Sequence, residues 1–276
     1  MAITTLLAIH STDDQTDDLK PLMAMAEMMG AHLNLVVFGV LDTIPTATYP
    51  GMPPAYLVDE HNRVMKNAEQ RANTVQALVE DANLSASVMV ECVDRGIVGQ
   101  TISRHALCAD LTVFPHGSVP QQLLLTDAFN GVLFDADRPV LVLGEGDRPV
   151  AKPGRALMAW NGEPEAAAAI HQSLMLLEDT KNVHLVSVGE GDSALQTALQ
   201  DEMSQFLKRH GMEVSVDRLD GSPSEVGDLL LAHASDKDAD IIVMGAYGHS
   251  RLREWLLGGT TRDLLARTRK AVFMAH

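Results

Sequence analysis

Aromatic side chains make up only 4% of the 276 residues, so a core has to be assembled from Leu, Val, Ala and Met. Cysteine is nearly absent. Cys92 and Cys108 alone cannot supply a disulfide framework, and such usage suits a reducing cytoplasm. Positive charge is scarce as well: 21 Lys and Arg stand against 37 Asp and Glu, a formal net charge of −16. That argues against a general nucleic-acid binder and a partner of anionic membranes, since like charge repels both, while leaving room for a local basic patch. No stretch approaches the roughly 20 apolar residues of a membrane span. The opening "MAITTLLAIHSTDD" lacks a basic segment and reaches acidic residues at once, so it reads as a first strand and not as a signal peptide. The commonest phosphate and nucleophile motifs are missing too. G-x-x-x-x-G-K-[ST] and G-x-S-x-G occur nowhere, and no first strand is followed by G-x-G-x-x-G. The expectation is a cytoplasmic protein without an evident hydrolytic triad.

What is present is an alternation of strand and helix patterns, which implies a parallel sheet flanked by helices. Short apolar runs at "ITTLLAIH", "HLNLVVFGV", "SASVMVECV", "ADLTVF" and "RPVLVLG" read as strands, with helical spacing between them. The order then restarts at residue 154 with "GRALMAW", the helical "EPEAAAAIHQSLMLL", and the strands "NVHLVSV", "MEVSVDRL", "ADIIVMG" and "KAVFMAH". "ADLTVF" mirrors "ADIIVM", and "RPVLVL" mirrors "RKAVFM". The joint "GEGDRPVAKPG" has linker composition. We expect an α/β protein of two tandem domains, 1–148 and 152–276, each an open five-stranded parallel sheet with helices on both faces.

Charge is divided unevenly, net −11 over 1–150 and −5 over 151–276. Over 245–276 the balance reverses, with Arg251, Arg253, Arg262, Arg267, Arg269 and Lys270 against Glu254 and Asp263. The last three cations follow a helix end, where positive charge is favoured on electrostatic grounds. Arg251, Arg253 and Arg262 remain candidates for an anionic ligand. They surround "GAYGHSRLREWLLGGTTRDLL", in which Gly245 ends a buried-strand pattern, the position where open α/β sheets bind ligands. Glycines let the backbone turn and approach a ligand closely. Gly258, Gly259, Thr260 and Thr261 open the next helical segment, whose N–H groups suit a phosphate. Turn and cap duties alone are the plainer reading of the same glycines.

Gly245-x2-Gly248-x9-Gly258 resembles the nucleotide-binding signature of the universal stress protein family, G-x2-G-x9-G-[ST]. The resemblance covers the C-terminal half in element order and the N-terminal half more faintly. It implies a tandem universal stress protein of the adenine-nucleotide alpha-hydrolase-like fold, in which "RPVLVLG" and "KAVFMAH" pair as the fifth strands of an intrachain pseudo-dimer, with room for a further homodimer. By the same resemblance, Gly245, Gly248, Gly258, Gly259 and Thr260 surround phosphates and ribose, while Thr260 or Thr261 can, from its place at the helix start, cap the helix or donate to a phosphate oxygen. Met244 lies beside them, Val188 falls where the family contacts adenine, and Asn161 takes the place of a usual Asp. Arg253 is a candidate for the phosphate charge. ATP or another adenine nucleotide, with Mg as companion cation, is the implied ligand, bound as a regulatory signal in a stress-response protein. Gly259 stands where Ser or Thr is usual, and Glu163 where a serine is frequent. The N-terminal copy departs further: Pro115 replaces the first glycine and no glycine-threonine pair opens its last helix, so no nucleotide is expected there in the family manner.

Two other readings stand beside this one. The sheets are a protein-interaction module, or a site for a small apolar ligand, with decayed nucleotide motifs; or the protein is at most a slow ATPase using His249 or the arginines. No catalytic residue is assigned. His105 and Cys108, three apart on a helical segment, with His116, Cys92 and His61 in the same half, are ligand types for zinc. Without a C-x-x-C pair they lead to no metal assignment. "PLMAMAEMMG" reads as core, and the loop over 42–56 as a long crossover.

Overall fold

A computed structural model describes residues 2–41, 54–119, 121–146, 151–189, 194–246 and 264–276. The first half runs β1 (Thr5–Ser11), α1 (Leu19–Met29), β2 (His32–Leu41), α2 (Pro54–Asp81), β3 (Ala86–Asp94), α3 (Val98–Ala106), β4 (Leu111–Phe114), α4 (Leu123–Asn130) and β5 (Val140–Val142). The second repeats the order with β6 (Arg155–Ala159), α5 (Pro164–Ser173), β7 (Asn182–Gly189), α6 (Ala194–Arg209), β8 (Glu213–Asp220), α7 (Val226–Asp236), β9 (Ile241–Gly245) and β10 (Ala271–Ala275).

The ten strands join in one sheet, ordered β3-β2-β1-β4-β5-β10-β9-β6-β7-β8. Within each half every pairing is parallel. At the centre β5 and β10 run antiparallel, with Leu141 opposite Phe273. The fifth strands therefore meet as expected, and the order reads the same outward from that seam.

Strand side chains alternate between faces, and the sequence uses both. Leu6, Ala8, Ile241 and Val243 pack in one apolar layer with Leu22 and Met25 of α1, Val75 of α2, Ile170 of α5 and Leu207 of α6. Leu7, Ile9, Ile242 and Met244 pack in the other with Ile102 of α3, Ala128 of α4 and Leu230 of α7. Of the methionine run, Met25 is buried while Met28 is exposed.

The repeated "AD" dipeptide has a structural cause. Asp110 Oδ2 accepts hydrogen bonds from the Thr4 and Thr5 amides at 2.8 and 3.0 Å. Asp240 Oδ2 accepts from Gly154 and Arg155 at the same two distances. Each carboxylate secures the start of its half's first strand to the approach of the fourth. Burial would raise the Asp110 carboxyl, but the hydrogen bonds from Thr4 and Thr5 outweigh it and hold it below the usual range.

Two elements differ from the sequence pattern. Helical spacing extends to Leu177, yet α5 ends at Ser173, whose hydroxyl turns back onto the Ile170 carbonyl at 2.8 Å and competes with the helical ladder. After α4, residues Gly131–Asp135 widen into a π turn. A Cβ on Gly131 would run into the Gly99 carbonyl, so this glycine serves the crossing of α3 with the segment after α4.

Candidate functional site

In the C-terminal half the chain leaves β6 toward β7 and β8 on one side, while β9 and β10 lie on the other. The strand order thus reverses between β6 and β9, and a crevice opens beyond their carboxyl ends. The pairing of Met158 with Val243 sets these two ends side by side. Asn161 leaves β6 into a turn whose Gly162 has φ +81°, and its Oδ1 accepts the Glu163 amide at 3.0 Å. This arrangement presents the first turn of α5, which opens with Pro164.

Met244 is buried at the end of β9. Gly245 has a tight neighbour: a Cβ there would sit 2.6 Å from the Glu165 carbonyl carbon and 2.7 Å from the Ala166 amide nitrogen. Among the described residues, the close approach that this glycine permits is to the start of α5. Gly248, Arg253, Gly258, Gly259, Thr260 and Thr261, along with His249, Arg251 and Arg262, lie outside the described residues, as does 42–53 of the long crossover.

Beside the switch point a cleft of about 80 Å³ is lined by Trp160, Asn161, Val188, Gln200 and Arg218, among others. Its floor is a polar network. The Oε1 of buried Gln200 accepts from Ser187 Oγ at 3.2 Å and from Arg218 Nε at 3.0 Å, and its Nε2 donates to the Leu185 carbonyl at 3.2 Å. The guanidinium of Arg218 therefore stands at the rim in a fixed orientation. The indole Nε1 of Trp160 is buried and has no hydrogen-bond partner among the described residues.

Of the residues expected from sequence, Asn161 and Val188 share this cleft, whereas Met244 and Gly245 sit across the crevice on β9. Trp160, Gln200 and Arg218 were not expected. Arg218 was legible in the alternation of "EVSVDRLD", which puts residues 216, 218 and 220 on one face. Gln200 carried no such signal, because its role depends on where α6 crosses the sheet.

The N-terminal half has a larger cleft, about 330 Å³, at its own switch point between β1 and β4. The pairing of Ala8 with Val113 matches that of Met158 with Val243, so His10 corresponds to Trp160, Ser11 to Asn161 and Pro115 to Gly245. The lining includes His10, Asp14, Asp18, His116 and Ser118 and no Lys or Arg among the described residues. Burial, aided by the charge of Arg71 and opposed by Asp18, pushes the His10 imidazole down to about 4. Burial pushes the Asp14 carboxyl up, against the pull of its hydrogen bond from the Ser11 amide. A neutral imidazole and two carboxyls make a poor seat for phosphate. Of the zinc-type residues of this half, Cys92 Sγ lies 3.9 Å from His61 Nδ1, while His105 is bound to Glu91 at 2.8 Å and Cys108 is exposed.

Residues 154–276 match the model of the universal stress protein family. A curated relative, a universal stress protein of Synechocystis, is 31% identical over 87 residues, 31% of this chain and 29% of that protein. The chain thus spans under a third of that relative's length. A universal stress protein from Archaeoglobus fulgidus superposes with a TM-score of 0.66 at 19% identity, covering 98% of this chain and 95% of its own. A putative one from Pseudomonas aeruginosa gives 0.56 at 19%, covering 99% and 93%. These two likenesses establish the tandem fold over the full length. Among the described residues no helix is long and apolar enough to cross a membrane.

Proposed function

We propose, from the premise that this chain belongs through residues 154–276 to the universal stress protein family, that its C-terminal half binds an adenine nucleotide, ATP with Mg in the first instance. The nucleotide acts as a regulatory ligand of a cytoplasmic stress-response protein. The observation that carries this reading is the convergence of Asn161, Val188 and Arg218 on one cleft beside the β6–β9 switch point. Val188 offers an apolar contact for a base. Asn161 has a donor left for ribose or base after accepting the Glu163 amide. The Arg218 guanidinium, bonded through Nε to Gln200, brings a positive charge that suits the phosphates of such a ligand. The glycine-rich segment from Gly248 to Thr261, with Arg253, is assigned the phosphates on the strength of its spacing.

The N-terminal half is proposed as a structural partner without a nucleotide of its own. Proline replaces glycine at 115, and the cleft of this half carries carboxyls with no lining cation among the described residues. The test is ATP titration of stripped, untagged protein alongside Val188→Glu and Arg218→Ala. A carboxylate at 188 should weaken binding at least about tenfold, and loss of the rim guanidinium by about three- to tenfold, the range of one charge-assisted hydrogen bond at a partly exposed site. Affinity unchanged in both variants would move the ligand elsewhere.

A further inference from the structure

Away from both clefts, on the face of β7 and β8 covered by α7, two imidazoles converge on a single carboxylate oxygen. His184 Nδ1 lies 3.1 Å from Asp217 Oδ2, and His233 Nε2 lies 3.1 Å from the same atom. The residues come from three elements: His184 from β7, Asp217 from the sheet-edge strand β8 and His233 from the last turn of α7. The pairings of His184 with Ser215 and of Val186 with Asp217 place Ser215 and Asp217 on the face that His184 shares. The three side chains are 13 to 24% exposed, sheltered yet reachable from solvent.

We propose that His184, Asp217 and His233 form a zinc site. Four donors at the usual zinc distances of 2.0–2.2 Å form a tetrahedron with edges of about 3.3 Å. Both nitrogen–oxygen separations fall close to that edge, and all three donor atoms lie within 4.8 Å of one another. Hydrogen bonding alone does not require both rings to choose one oxygen of a carboxylate that has two. An ion held at that oxygen does, with each ring turning a lone pair inward and carrying its proton on the other nitrogen. Two imidazoles and a carboxylate favour zinc over calcium or magnesium, which take oxygen donors. The fourth position falls to water or to Ser215 Oγ, 2.7 Å from His184 Nδ1. Lys237 is close enough to lower the Asp217 carboxyl along with the two histidines, against its burial. Its charge opposes a dication and moderates the affinity.

Such an ion would pin the edge strand β8 to β7 and to α7, a structural role independent of nucleotide. The experiment is zinc titration of untagged, full-length, chelator-treated protein by calorimetry, with thermal unfolding at each zinc level and the absorption spectrum of the cobalt form. One zinc per chain is expected, with a raised Tm and visible cobalt bands of tetrahedral intensity. His233→Gln should weaken zinc binding at least about tenfold and abolish the Tm rise. Asp217→Asn should do the same, so that misfolding of either variant leaves the other as the test. His210→Ala, at an exposed histidine on the far side of the sheet, should change neither. Absence of saturable binding by the unmodified protein would overturn the proposal, as would equal affinity in a folded His233→Gln or Asp217→Asn protein.

Discussion

His10 and Trp160 occupy matching places in the two halves, each with a buried ring nitrogen that has no hydrogen-bond partner among the described residues. For histidine this carries a consequence for stability. Its ordinary value of 6.5 falls to about 4 in the folded protein, so between those values the unfolded chain binds the extra proton. Stability is therefore fully present above about pH 6.5 and is lost as the pH falls toward 4, by up to the order of 3 kcal/mol. Asp14, shifted upward, works in the opposite sense and becomes significant toward the acid end of that window. Urea unfolding at pH 7 and pH 5 should show the loss, and His10→Asn should show a smaller one. An NMR titration of intact protein should place the His10 midpoint near 4; a midpoint near 6.5 would contradict the burial argument. Asp110 and Asp240 show the other side of residue-scale chemistry. Their repeated dipeptide was visible as a pattern, while its cause, a carboxylate accepting two strand amides, emerged only from the pairing of distant strands.

Helices and strands place Gly245 under a constraint of their own. Since a Cβ there meets the backbone of Glu165 and Ala166, Gly245→Ala should push α5 away from β9 and cost about 1–3 kcal/mol, as overpacking does. Gly248→Val should instead lower nucleotide affinity with little change in unfolding free energy. Chemical denaturation and ATP titration of both variants separate the two effects; equal stability in Gly245→Ala would show that α5 yields without cost. The strand and helix order was legible because apolar residues alternate with period two in the strands and recur at helical spacing between them. Boundaries set by competition were not. The early end of α5 depends on the Ser173 hydroxyl, and the close approach at Gly131 is to Gly99, 32 positions earlier. Asn161 and Val188 were legible from resemblance, and they do share a cleft. Arg218 could be read from the alternation of β8, whereas Gln200 was hidden in the crossing of α6 over the sheet, which no local pattern encodes.

At the scale of the molecule, two acidic halves meet along a short antiparallel seam. Val140, Leu141 and Val142 face Met274, Phe273 and Val272, all buried. Gly144 beyond the seam lies so close to Arg269 that a Cβ would approach its carbonyl oxygen to 2.8 Å. With 1–148 and 152–276 taken as the two folding units, Phe273→Ala should cost about 3–5 kcal/mol and weaken the seam first. Denaturation followed by two probes, one in each half, should then separate into two transitions. A single coincident transition in that variant would mean that the halves do not fold as separable units.

Occupancy of the C-terminal half by a nucleotide can be measured directly. Ligand released from freshly purified, untagged protein should be identified by mass spectrometry, and the stripped protein titrated with ATP beside Gly248→Val. An adenine nucleotide at about one per chain, saturable rebinding, and loss of both in the variant are expected. No bound nucleotide and no saturation at millimolar ATP, or binding that Gly248→Val leaves intact, would contradict that occupancy.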